Sequence, residues 1–470
     1  TFDNMNWMVT AGASKKVVAK VNLATTLMSS AADTAWLGIA AALDVSAQDK
    51  DSNTVTPTDG DATWSGPINS TPTVLLTVNT AGTLTVATDG DTPLATIATG
   101  GTSGVSVTKL KFTSANESFL IKKLRISNEG TDSTATACDG TETTPENASA
   151  CDTGVTSVKI SYPTAAGTTE EKSAYLSNGI ADFSDLNFFA KLDQNSVMTI
   201  KTDLAAISQS AVSGDQLDFG VDFDSNFEAV GQGSGSTLST CAGLTAGTGL
   251  VCSTAATNTV GTDISGNALT VRKSKPTVSL AAASPSGASV PGLNEVLRFT
   301  VAADATGDIV LDAVTFAATT TDNAATSWNL NADATGNIDL TSSWSLYDAS
   351  DLTTQKEGGD SDWTLYGAAA ADGTLDGVEK VGYARLALTS PITIAAGTSK
   401  TFVLKVDTTG ASSANDDTVR FDVVAEAGSV NTVLAALTEF QWDETSSGAA
   451  TNITGTLVKN LSVNGGTIVY

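Results

Sequence analysis

The stretch AGASKKVVAKV at residues 11–21 returns near the other end of the chain as AGTSKTFVLKV at residues 396–406. A chain that repeats itself this way folds as a series of similar units, and the alternation inside the repeat says what the units are made of. In TFVLKVD, Phe402, Leu404 and Val406 fall on one face and Val403, Lys405 and Asp407 on the other, the period-two pattern of a half-buried strand. A third copy, NSVMTIKTD at 195–203, lines up with SKKVVAKVN at 14–22 and SKTFVLKVD at 399–407. It places Met198, Ile200 and Thr202 inward, as Val17, Ala19 and Val21 are in the first copy. The shared lysines, Lys20, Lys201 and Lys405, fall outward and read as solvated edge lysines, not as buried cross-links.

The copies extend in both directions. Trp7 and Val9 match Phe188 and Ala190, and then Ile392 and Ile394; Trp36, Leu217 and Phe421 each begin the next apolar strand. The first half of the unit recurs as well, because GTLTVATDGDTP…TKLKFTS (82–114) resembles KPTVSLAAASP…EVLRFTV (275–301). Short β-branched or aromatic runs such as KKLRIS, SVKISY, QLDFGVDF and TVRFDVV, broken by Gly, Asn, Asp and Ser, complete an all-β pattern of tandem Ig-like β-sandwich modules. Two modules are complete, 82–274 and 275–470. Residues 1–81 match only the second half of a unit, and the ending NGGTIVY (464–470) resembles NTAGTLTV (79–86), the strand that opens one.

An incomplete sandwich exposes unpaired strand edges and an apolar face, at a cost of several kcal/mol. A second copy of the same chain is the economical cover, and because that contact joins unlike surfaces it propagates head-to-tail into a homopolymer. Alternation puts Met5, Trp7 and Val9 on one face beside Phe2, so these four residues, with Ile468 and Tyr470 of the last strand, are the expected polymerisation contacts.

The charge balance narrows the partners. The chain has 51 acidic and 24 basic residues, a net charge of −27, so its field repels phosphate backbones and excludes nucleic acid as a partner. The same charge keeps a Thr-, Ser- and Gly-rich β protein from sticking edge to edge. No run approaches the roughly 20 apolar residues of a membrane span, so no membrane insertion is expected. The start at Thr1, without Met or a basic-then-apolar leader, fits a processed secreted product or a trimmed sequence.

Cys138 with Cys151 and Cys241 with Cys252 are two local pairs around Gly/Thr/Ala-rich segments. Without any histidine, and without CxxC spacing, two loop-closing disulfides in an oxidising compartment are the simpler reading than zinc. The absence of histidine also removes Ser-His-Asp and Cys-His chemistry, and scattered acids single out no glycosidase pair; no enzyme and no cofactor are expected. Calcium is the one cofactor left open, at DKDSN (49–53), DGD (89–91), DFDSNFE (222–228) and NDD (415–417), though none has the spacing of a calcium loop and all read as solvated turns. Sequons at Asn69, Asn116, Asn147, Asn452 and Asn460 make covalent glycans a further expectation. The tryptophans read as sandwich core, not a sugar platform.

The stretches VRKSKPTVSLAAASPSGASVPGLNEVLRFTVAADATGDIVL, LYDASDL, TIAAGTSKTFVLKVDTTGASSANDDTVRFDV and LVKNLSVNGGTIVY resemble secreted modular Ig-like surface proteins of uncultivated, small-genome bacteria, over most of residues 80–470. The resemblance implies display outside the cell, as envelope layer, adhesin or filament. The expectation is therefore a structural subunit of an extracellular bacterial filament joined by strand complementation. The alternative is a cell-surface adhesin, a stalk or an S-layer-type envelope protein.

Overall fold

A computed structural model describes residues 7–16, 18, 33–35, 45–55, 76–78, 82–130, 152–223, 226–243, 249–254, 256, 263–321, 344–359, 362–366, 380–409, 411, 416–425, 440–444, 453–458 and 460–470. The all-β class read from the alternation is what it shows: strands and turns, a 3-10 turn at Gly455–Leu457, and no α-helix among the described residues. Before residue 82, β1 (Asp33–Ala35) pairs with β4 (Leu76–Val78), and β2 (Ala47–Gln48) with β3 (Thr54–Val55). Residues 7–16, 18 and the chain around β2 and β3 are described outside any further strand, while the remainder of the partial unit, including most of the first strand copy at 14–22, lies outside the described residues.

Two sheets enclose the first core. One runs in the order β10 (Thr169–Ala174), β9 (Val155–Pro163), β13 (Asn195–Leu204), β7 (Val105–Ala115), β5 (Thr83–Thr88), β19 (Leu250–Cys252), β18 (Cys241–Gly243). The other centres on β8 (Phe119–Asn128), with β11 (Ile180–Phe183) and β12 (Phe188–Ala190) along one side. Along its other side lie β15 (Phe219–Asp222), leading to β20 (Asp263–Ser265), and β16 (Glu228–Gly231), leading to β17 (Thr237–Leu238). A small third sheet joins β14 (Gln216–Leu217), β21 (Leu269–Arg272) and β6 (Thr96–Thr99). Alternation places Leu110, Phe112, Met198 and Ile200 inward, where the Phe112 ring meets Phe188 edge-on at 4.8 Å. At Asn178-Gly179 both residues take positive φ, 59° and 78°, which the tight turn between β10 and β11 requires.

The second core repeats this connectivity. Its first sheet is β22 (Pro276–Leu280), β24 (Leu293–Ala303), β30 (Ser399–Asp407), β26 (Trp344–Asp348) and β27 (Asp351–Gln355). Its second is β23 (Gly287–Ala288), β34 (Val463–Val469), β31 (Thr418–Val424), β25 (Ile309–Thr321), β29 (Lys380–Ile394) and β28 (Trp363–Tyr366), with β32 (Gln441–Asp443) and β33 (Ile453–Thr454) continuing from β25. Trp344, Trp363, Phe299, Phe316, Phe402 and Phe421 form its aromatic centre.

Three details differ from the sequence reading. Similarity aligns LKF (110–112) with LRF (297–299), but Leu110 faces Met198 across its ladder as Phe299 faces Phe402, so the equivalent positions are two residues apart. Two residues is one period of a strand, so the slip leaves every side chain on its expected face. Val403, placed outward by alternation, is fully buried, because its cross-strand neighbours Arg298 and Tyr347 flank it on that face. NGGTIVY closes the second module instead of opening a new one: β34 pairs antiparallel to β31 and parallel to β23, as β20 and β21 do against β15, β14 and β6.

Candidate functional site

The expected contact residues divide into three groups. Phe2 and Met5 lie outside the described residues. Trp7, Met8 and Val9 stand outside any strand and have no ladder partner among the described residues, 44%, 77% and 51% exposed, with the Lys15 ammonium 6.0 Å from the Trp7 ring centre. Of the counterparts of Trp7 and Val9 in the repeat, Phe188, Ala190 and Ile394 are fully buried and Ile392 is half-buried against the second core. Ile468 and Tyr470 require a correction. Both are buried in the second module's own core, and the Tyr470 N–H donates to the Asp417 carbonyl at 2.9 Å, so the last strand is already bonded on both sides and is not a free donor.

Each module fixes its entering chain with a carboxylate. In the first, buried Glu117, in the turn between β7 and β8, accepts the Gly82 N–H at 2.8 Å, the Gly233 and Ser234 N–H groups at 2.8 Å each and the Ser234 hydroxyl at 2.7 Å. Burial alone would raise this carboxyl's pKa, but the Ser234, Gly82 and Gly233 hydrogen bonds outweigh it and hold the group below its ordinary value. Room is made by glycine: a Cβ at Gly231 would stand 2.5 Å from the Glu117 carboxylate, and one at Gly82 would stand 2.6 Å from the Ala115 carbonyl.

In the second module the clamp is Glu444, just beyond β32. It accepts the Lys273 N–H at 2.9 Å and the Ser213 hydroxyl at 2.5 Å, so one side chain holds both the linker and a loop of the preceding module. The linker is further bonded by Ser274 to the Gly307 carbonyl at 2.6 Å and by Thr306 to the Lys273 carbonyl at 2.7 Å, while Ile97 of β6 packs with the second core. Arg272 lies within the field of Glu444 and Asp443. Nearby Asp312 has its pKa pushed up to about 6 by burial and by the charge of Asp443. Neither Glu117 nor Glu444 is visible as a site in the sequence, since each is a single acid in a turn whose partners lie far along the chain.

The remaining expectations are placed as follows. Cys241 and Cys252 face each other across β18 and β19 and form a disulfide; Cys138 and Cys151 lie outside the described residues. Asn116, at a turn with φ of 70°, and Asn460 are exposed, and Asn69, Asn147 and Asn452 lie outside the described residues. Asp49 spends its carboxylate on the Asp51 and Asn53 N–H groups and the Asn53 amide, and Asp89 on the Asp91 N–H; the other two acidic clusters are only partly described. No group of three or more Cys, Asp or Glu stands together as metal ligands among the described residues. Trp344, Trp363 and Trp442 are core; Trp36, Trp64 and Trp328 lie outside the described residues. Lys201 pairs with Glu171 at 2.8 Å and Lys405 sits 4.5 Å over the Tyr347 ring, both on the outer face.

No protein-family model and no curated protein matches the chain. Among solved structures it is similar to a chain described as BspA_C_mut, at 8% identity over 73% of this chain and 94% of that one, with a TM-score of 0.17. It is also similar to the full-length major pilin SpaD from Corynebacterium diphtheriae, at 14% identity over 58% of this chain and 56% of that one (TM-score 0.15). A mutant of the CFA/I adhesin CfaE from enterotoxigenic E. coli follows at 11% identity over 81% and 98% (TM-score 0.13). At these TM-scores the superpositions carry no argument about what this chain does.

Proposed function

We propose that the chain is a non-catalytic structural subunit of an extracellular filament, in which copies join head-to-tail through the N-terminal segment. The observation that carries this reading is the mismatch at Trp7 and Val9: Val9 matches a core position in both complete modules, and Trp7 one that is core in the first and half-buried in the second, yet both stand exposed in the partial unit. Burying those side chains against another copy removes apolar surface from water, at about 25 cal/mol per Å². The Cys241–Cys252 disulfide supports an oxidising, cell-surface location, and the exposed Asn116 and Asn460 are the described positions offered to glycans. Negative-stain electron microscopy of the purified chain should show fibres that vanish when residues 1–10 are deleted. Fibres that survive the deletion, or a wild-type chain that stays monomeric at high concentration, would refute the reading.

A second reading, a cell-surface adhesin or stalk or an S-layer-type envelope protein, draws on the junction, where Glu444 ties Ser213 to Lys273 and braces successive modules. Single rods or flat sheets in the same images would favour it.

A further inference from the structure

The two modules end in matching structures with different surroundings. In the first, β6 runs parallel to β21, and its Ile97 packs with the second module's core. The counterpart is β23, parallel to β34 in the register Gly287↔Ile468 and Ala288↔Val469. The match is anchored by one bond at each end: the Val271 N–H donates to the Asp215 carbonyl as the Tyr470 N–H donates to that of Asp417. In the second module nothing among the described residues covers this end. Gly287 and Ala288 are exposed, Val290 is 76% exposed and Leu293 is 55% exposed. The Asn294 amide donates to the Val290 carbonyl at 2.6 Å and the Gly292 carbonyl at 3.1 Å, so the two apolar side chains stand on one braced corner. Asp407, which faces Leu293 across the ladder, and exposed Asp416 add carboxylates to the same end.

We infer that this end of the second module is the seat for a second copy of the chain, taken by that copy's N-terminal segment, residues 7–18. The inference rests on the filament reading and names its acceptor. Polarity and charge agree. Residues 7–9 offer an exposed apolar run to Val290 and Leu293, and residues 7–18 carry Lys15 and Lys16 and no acid, in a chain whose net charge is −27. Copies so strongly negative repel one another, so a contact between them needs a basic segment on one side and acids on the other, as Asp407 and Asp416 supply. The equivalent end of the first module already receives the next unit of its own chain, so the seat repeats an interface the molecule uses internally. The contact joins unlike surfaces and therefore propagates.

Full-length Val9→Cys and Val290→Cys proteins, mixed under mild oxidation and run on a non-reducing gel, should form a mixed disulfide dimer at least tenfold more than Val9→Cys mixed with Leu94→Cys, a control at an exposed apolar position in the first module. Leu293→Lys should shift the wild-type polymer to monomer in sedimentation velocity while leaving the circular dichroism spectrum unchanged. Cross-linking equal to that of the control would overturn the seat. If fibres persist in Leu293→Lys yet vanish on deletion of residues 1–10, the seat is wrong and the filament reading stands. If the mixed dimer forms but no fibres ever do, the filament reading is wrong and the seat stands.

Discussion

The first strands of the two modules, β5 and β22, occupy the same place in their sheets and protect their outer edges in opposite ways. Beyond β5 lies the hairpin β18–β19, inserted between β17 and β20, whose Leu250, Val251 and Cys252 pair with Val86, Thr85 and Leu84. The second module has only the turn Gly455–Leu457 between β33 and β34, and among the described residues nothing pairs with the outer side of β22. At the position of Leu84 it has Pro276, whose missing N–H would have pointed outward. An open edge invites a strange strand, and it can be covered or deprived of a donor. Covering takes an insertion held by a disulfide; depriving takes one proline. The same fold tolerates both, the hairpin adding Cys241, Leu250 and Cys252 to the first core from its edge.

The largest break in this comparison should come from Cys241→Ser with Cys252→Ser. Releasing a loop of this length costs about 3 kcal/mol. Calorimetry should show the transition of the first module falling while the second stays in place, and a shift of both would mean that the two melt as one body. Next is Glu117→Gln, which sets an amide among donors and should cost the first module about 2 kcal/mol by urea titration, with Gly231→Ala acting in the same direction through its clash with Glu117. Because the folded carboxyl's pKa is depressed, its stabilisation is present above the ordinary range near 4 and is lost as pH falls through the lower folded value, so wild type and Glu117→Gln should converge in acid.

Asp312 works in the other direction. Its folded pKa, about 6, lies above the ordinary carboxylate value, so the folded state holds the proton better and the second module loses stability as pH rises from about 4 through 6. Asp312→Asn should therefore stabilise that module at pH 7.5, by about 1 kcal/mol once solvent screening is allowed for, and have no effect at pH 4. A gain that is equal at both pH values would point to packing instead of charge. The smallest change in stability is expected from Pro276→Val, within about 0.5 kcal/mol, yet it restores an outward N–H and should raise self-association in light scattering if the proline is what guards the edge.

Much of this molecule was legible because a strand's information is local. The period-two pattern in NSVMTIKTD and SKTFVLKVD is enough to put Met198, Ile200, Phe402, Leu404 and Val406 inside, where they are, and the short spacing of Cys241 and Cys252 marks a stapled loop. Val403 shows the limit: which face is covered depends on Arg298 and Tyr347, which come from other strands. The ending NGGTIVY shows it again, since a strand's composition says that it will pair but not with whom.

What the sequence determined by itself was the class of structure, the repetition and the inward faces, all consequences of alternation and of similarity between segments. Only the tertiary structure decided that Glu117 gathers four donors, that Glu444 joins Ser213 to Lys273, and that Tyr470 belongs to its own core. The physical reason is range. Side-chain alternation is settled within a few residues, whereas a clamp or a closed edge depends on groups brought together from distant parts of the chain.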